Sequence, residues 1–201
     1  MKKYELTAEF IEKWGKKLFR IKALISFGSV EAGELGGYVE KEDNLAQDGD
    51  AWVYGDARVY GDAWVCGNAR VYGDAEVCGD ARVYGNAEVY GDAEVCGNAR
   101  VYGNARVCGD AEVYGNADYL LIGRIGSRFS FTTFFKNKDK GITVSCGCFL
   151  GTIAEFRAKV TDTHGNNKHA KIYNLAADMA ELQILGEEYF DKLNTNKSEP
   201  F

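Results

Sequence analysis

The chain has 201 residues, 46% of them hydrophobic and 27% charged, a balance that suits a folded protein and excludes a disordered one. Its 24 Gly beside a single Pro exclude collagen, and no apolar run approaches the ~20 residues of a membrane span. The net charge of −6 sits in the middle of the chain: residues 1–48 carry 8 basic and 9 acidic side chains, residues 49–120 carry 5 and 12, and residues 121–201 carry 11 and 9, so the basic excess of a general nucleic-acid binder is missing.

The start, Met1-Lys2-Lys3-Tyr4-Glu5, lacks the apolar core of an export signal. Without export the six Cys are expected as free thiols in a reducing cytoplasm. Residues 1–48 read as a small β cap. Tyr4–Thr7 and Leu18–Ile21 alternate as strands around a turn at Trp14-Gly15, and Leu35–Asp48 reads as a lead-in coil, with Asn44-Leu45 in register with the hexads that begin at Gly49.

From Gly49 to Leu120 the chain is twelve hexads without insertion: Gly, Asp/Asn, Ala, variable, Val, Tyr/Cys. The twelfth, Gly115-Asn116-Ala117-Asp118-Tyr119-Leu120, decays. An even period puts Ala and Val on one side of an extended chain and the variable residue and Tyr/Cys on the other. Gly followed by Asp/Asn is corner chemistry, since both tolerate positive φ.

This motif resembles the hexapeptide-repeat, left-handed parallel β-helix family over Gly49–Leu120. The resemblance implies three hexads per triangular coil, so that residues 18 apart stack and the repeat makes about four coils. One face then carries Trp52, Arg70, Glu88 and Arg106 beside Tyr54, Tyr72, Tyr90 and Cys108. The second carries Arg58, Glu76, Glu94 and Glu112 beside Tyr60, Cys78, Cys96 and Tyr114, and the third carries Trp64, Arg82, Arg100 and Asp118 beside Cys66, Tyr84, Tyr102 and Leu120. Asp56, Asp74, Asp92 and Asp110 make one corner an unbroken acidic column, with Glu76, Glu94 and Glu112 alongside. Trp52 and Trp64 are expected against the N-terminal cap. Cys78 and Cys96 fall on adjacent coils, and free thiols are expected there too.

After Leu120 the period breaks. Arg128–Phe135 and Ile142–Cys148 read as a hairpin around Lys136–Gly141. Thr152-Ile153-Ala154-Glu155 is a capping box that opens a helix ending near His164-Gly165. A second helix is expected from about Asn167 to Leu185, with the stripe Ile172, Leu175, Ala176, Met179 and Leu182 packing on the hairpin or joining subunits. Residues 186–201 read as a fraying tail. The predicted fold is thus mainly β: an N-terminal β cap (1–48), a β-helix (49–120) and a C-terminal ββαα unit with tail (121–201).

The whole chain is similar to proteins frequent in phage and prophage genomes, on Leu35-Gly36-Gly37-Tyr38, the Gly-Asp/Asn-Ala repeats, Val144–Phe149 and Thr163-His164-Gly165. That resemblance implies a viral or mobile-element context and no particular chemistry. Hexapeptide-repeat acyltransferases use a His between coils and a loop excursion, and residues 49–120 offer neither. Cys146, Cys148, His164 and His169 are a two-Cys, two-His set, read as structural rather than as a zinc site. The expectation is therefore a cytoplasmic binding protein without enzyme activity, cofactor, metal or membrane association. Its acidic column, Asp56, Asp74, Asp92 and Asp110 with the three Glu, would engage a basic partner such as a host defence factor; calcium along the column is a weaker reading. The alternative is an oligomeric binder of nucleotides or small molecules using Tyr54, Tyr72, Tyr90, Tyr84 and Tyr102 as stacking surfaces, and the last is an acyltransferase. A homo-oligomer is expected, a trimer by preference.

Overall fold

The computed structural model describes residues 2–186, and the chain divides into two compact units after Asn116. The expected tail from residue 187 onward lies outside the described residues.

In the first unit β1 (Tyr4–Lys13) and β2 (Lys16–Ala23) form an antiparallel hairpin around Trp14-Gly15, both with positive φ. Next, β3 (Leu35–Val39) pairs antiparallel with β2 on one edge and parallel with Arg58–Val59 on the other. The hairpin therefore continues one wall of the coils and covers the strand edge that the first coil would otherwise expose. Close approach explains the Leu35-Gly36-Gly37-Tyr38 run. A Cβ on Gly36 would stand 2.6 Å from the Val53 carbonyl oxygen and 2.7 Å from the Trp52 ring, and one on Gly37 would stand 2.5 Å from the Ala57 carbonyl oxygen.

Eleven two-residue strands, β4 to β14, follow at hexad spacing from Trp52–Val53 to Glu112–Val113. Parallel pairing joins residues 18 apart, as in Arg58 with Glu76 and Val59 with Val77. The three columns read from the repeat are the three walls, Trp52-Arg70-Glu88-Arg106, Arg58-Glu76-Glu94-Glu112 and Trp64-Arg82-Arg100. Ala and Val of each strand-and-corner unit line a dry interior, every one from Ala51 to Val113 at most 1% exposed. Corner glycines stack as closely as strands do: Gly73 has φ +75°, and a Cβ there would meet Gly91 N at 2.9 Å.

The twelfth hexad does not make a coil wall. Asn116–Asp118 is a short 3-10 turn, and Tyr119 and Leu120 open an antiparallel strand instead. Tyr119 stands where each other hexad has Val, and an interior lined by Ala and Val has no room for a phenol. Asp118 thus leaves the third column and pairs with Lys136 at 3.5 Å.

Cys78 and Cys96 form a disulfide, which corrects the expectation of free thiols. Stacking brings their Cα atoms to 4.5 Å, inside the range that a disulfide bridges. Closing a loop of 18 residues contributes about 3 kcal/mol through the unfolded chain.

The cap is held by two buried side chains. Trp52 is fully buried, edge-on to Tyr4 and Phe27 at ring centroid distances of 6.0 and 5.4 Å, whereas Trp64 stays 40% exposed. The Lys3 ammonium donates to the carbonyls of Asp48, Gly49 and Ala51 at 3.3, 3.3 and 3.0 Å, which satisfies acceptors of the first turn. Burial lowers its pKa to about 8, against the attraction of Asp48 and Asp50. Between pH 8 and its unfolded value near 10.5 the unfolded chain holds more protons at this site, so stability rises with pH in that window. Denaturant titrations should show a gain of roughly 2 kcal/mol from pH 7 to pH 10, absent in Lys3→Met. Burial holds the Tyr4 phenol above its ordinary value, so its opposing effect begins only above about pH 10.

The second unit is a four-stranded antiparallel sheet in sequence order, β15 (Tyr119–Ile125), β16 (Ser130–Lys136), β17 (Ile142–Cys146) and β18 (Phe149–Thr152), followed by α1 (Ile153–His164) and α2 (Lys168–Leu185). The hairpin and both helices match the reading of the sequence, with Thr152–Glu155 as a reciprocal capping box and Asn167 capping α2. Two strands exceed it. Cys148 sits not in a strand but in the turn at Gly147, whose φ is +60°. The core joins Phe134, Val144, Phe156, Val160, Tyr173 and the alanines of α2. Of the expected stripe only Ala176 packs inward: Ile172, Leu175, Met179 and Leu182 are 39, 63, 57 and 46% exposed, and the buried face of α2 is Ala170, Tyr173, Ala176, Ala177 and Ala180.

Candidate functional site

Corner and wall bring the predicted acidic residues together, but not as one uniform strip. Glu76 is taken up internally: it pairs with the Lys13 ammonium, lies 3.4 Å from Arg58, and accepts the Tyr60 hydroxyl at 3.0 Å. Burial first, then that hydrogen bond, raises the Tyr60 pKa and keeps the phenol neutral. Arg20 approaches Asp56 and Arg58 approaches Asp74, each at 4.0 Å. The cap hairpin thus lends Lys13 and Arg20 to the first half of the column. In the second half Asp92 is exposed and Glu94 accepts the Tyr114 hydroxyl at 2.8 Å, while Glu112 pairs beside Glu94 in the parallel ladder. Neither Asp92 nor Glu112 has an ion-pair partner among the described residues. Asp110 is half-buried. The concentrated negative field is therefore Asp92, Glu94 and Glu112, three of the seven predicted residues.

The tyrosines stack on one another. Tyr72 lies on Tyr90 with centroids 4.7 Å apart and planes 1° apart, and Tyr84 lies on Tyr102 at 5.4 Å and 13°. Each ring has one face covered by its neighbour, which stiffens the wall and leaves only the other face for a base. Tyr54 instead shares a hydrogen bond of 3.2 Å with Ser29. Burial raises the pKa of Tyr72 and Tyr90, helped by Glu88 at the first and Cys108 at the second.

A polar recess of about 310 Å³ lies beside these rings, lined by Gly28, Ser29, Asp50, Asn68, Arg70, Asn86 and Glu88. Sequence reasoning missed it, because its Asn corner looked equivalent to Asp. Asn68 Nδ2 donates to Asn86 Oδ1 at 3.1 Å and Asn86 Nδ2 to Asn104 Oδ1 at 3.5 Å, a ladder that Asp could not build. One guanidinium and two carboxylates give the recess no strong preference for ligand charge.

In the second unit Thr132 Oγ1 donates to Cys146 Sγ at 3.2 Å, Cys148 is exposed, and the His164 and His169 rings lie 5.8 Å apart. No group of three or more His, Cys, Asp or Glu is placed to hold a metal ion among the described residues. Nor is any helix there long and apolar enough to cross a membrane.

A family model described as the YdcK beta solenoid repeat matches residues 51–67, 63–79 and 93–109. Each match begins on a hexad Ala, so the match and the coils share one register. A search of curated proteins found no match. The stacked parallel coils and the repeat match together make this chain a β-solenoid repeat protein.

Proposed function

We propose that the protein acts by binding rather than by catalysis, as a rigid acidic surface for a basic protein. The observation that carries this reading is the group Asp92, Glu94 and Glu112: Glu94 and Glu112 stand ~4.8 Å apart on successive coils, Asp92 lies at the corner before Glu94, and no cation from the cap balances them. Asn holds the same hexad position on another corner, at Asn68 and Asn86, so the turn itself does not demand the charge of Asp92. Fixed charges on a stiff wall favour fast, selective association with a positive partner. The resemblance to phage and prophage proteins makes a cytoplasmic host defence factor the natural partner class. The coils contain no His and no loop excursion to support acyl transfer.

The test separates the two halves of the column. The variant Asp92→Asn, Glu94→Gln, Glu112→Gln should keep its melting temperature or gain slightly, because repulsion falls, and should bind a basic partner at least about tenfold more weakly with a flatter salt dependence. Asp56→Asn with Asp74→Asn should change affinity little. Equal binding by both variants would overturn the reading and direct attention to the polar recess around Arg70, where a small-molecule ligand would reveal itself by raising the melting temperature.

A further inference from the structure

We infer that Cys146 is a site of reversible oxidation by a small hydroperoxide, with Cys148 as the thiol that resolves the oxidised sulfur into a disulfide. Cys146 ends β17 and is half-buried. Thr132, fully buried and opposite it on β16, donates its hydroxyl to the Cys146 sulfur at 3.2 Å. The Tyr173 hydroxyl reaches the same sulfur from α2, passing over Gly126, where a Cβ would collide with it. Burial first, then the nearby Cys146 sulfur, raises the Tyr173 pKa, so the phenol keeps its proton and serves as a donor. Two hydroxyls aimed at one sulfur stabilise negative charge on it, the form in which a thiol attacks. Cys66 and Cys108 are set differently: burial raises the pKa of both, and Cys108 is closed off from solvent.

The sulfur opens into a cavity of about 100 Å³, walled by Phe149, Phe156 and Val160 and bordered by Lys159, His164 and Tyr173. One water takes ~30 Å³ of the liquid, so hydrogen peroxide fits there and a nucleotide does not. Attack by the Cys146 sulfur on one peroxide oxygen forms an S–O bond as the O–O bond breaks. The sulfur gives up two electrons, and the departing hydroxide takes up the thiol proton to leave as water. The Cys148 sulfur then attacks the sulfenic acid: an S–S bond forms, and the displaced hydroxyl leaves as water with the Cys148 proton. Cys148 is placed for this step. It is exposed in the tight turn Gly147-Cys148, where Gly147 has φ +60°. Cα atoms two apart in such a turn stand within ~6 Å, inside the range that a disulfide bridges. A dithiol reductant returns both thiols by exchange.

The experiment treats the full chain with hydrogen peroxide and maps its cysteines by peptide mass spectrometry, with a cyclic diketone present to trap sulfenic acid. In the Cys148→Ser chain the trap should label Cys146. In the parent chain a Cys146–Cys148 disulfide should take the place of that label, and a dithiol should reverse it. Thr132→Val and Tyr173→Phe should each slow oxidation of Cys146 by at least about tenfold, because each removes a hydrogen bond to a charged sulfur. Thr132→Ser keeps the hydroxyl and should oxidise like the parent. Tyr173→Phe keeps the ring that packs edge-on to Phe156 at 5.6 Å, so its melting transition should persist and separate loss of the donor from loss of the fold. Oxidation of Cys148 ahead of Cys146, an unchanged Cys146 rate in Tyr173→Phe and Thr132→Val, or a sulfenic acid on Cys146 that outlasts an intact Cys148 would each overturn the inference.

Discussion

Replacing Val83 by Asp should unfold the coils at temperatures where the parent is intact, while Arg82→Asp, one residue earlier, should melt like the parent. Val83 is fully buried and is stacked between Val65 and Val101. The surrounding interior is Ala and Val, with no polar side chain to receive a carboxyl group. A carboxylate there would be neutralised or would force the coil open, at a cost of about 4 kcal/mol or more. Since domains are stable by only about 5–15 kcal/mol, that loss consumes much of the total. Arg82 points outward between Trp64 and Arg100, so a change there should stay within about 0.5 kcal/mol. Thermal melting of the pair decides the matter: equal tolerance would mean that the inward and outward sides had been exchanged.

Most of the solenoid was legible because each hexad states its own geometry. Gly and Asp/Asn mark a corner, Ala and Val mark an inner side, and the period of six keeps successive strands in register. Where local pattern stops, so does legibility. Lys13 meets Glu76 from 63 residues away, and no spacing rule announces that a hairpin will neutralise half of an acidic column. The absence of an export signal in the sequence led to the expectation of free thiols at Cys78 and Cys96, yet stacking alone brings them within bonding distance. In α2 the large side chains suggested the packing face. The sheet and α1 instead take the alanines, because small side chains let the helix approach closely and leave the dense core to Phe134, Phe156 and Tyr173. Apolar periodicity showed correctly that α2 is a helix, but hydrophobic size could not show which of two apolar faces turns inward.

Trp52→Ala should be the most damaging substitution outside the Ala/Val interior. The indole occupies a variable hexad position, which on later coils holds Arg70, Glu88 and Arg106 in contact with solvent. On the first coil it is fully buried because Tyr4 and Phe27 close over it and Gly36 leaves room for the ring. Truncation would leave a cavity beneath the cap, with an expected loss of about 3–5 kcal/mol. The loss should be local in origin: hydrogen exchange should quicken first in β1 to β3 and the first coil, where the ring joins the cap to the solenoid. Trp52→Phe separates packing from hydrogen bonding. The indole Nε1 is buried without a partner, so Phe forfeits no bond and even removes an unsatisfied donor. Phe should therefore recover most of the stability that Ala loses. If Ala and Phe were equally destabilising, the indole would have to be held by a polar contact and not by the Tyr4 and Phe27 rings; if both were neutral, the hairpin would not depend on this ring to seal the open end of the coils.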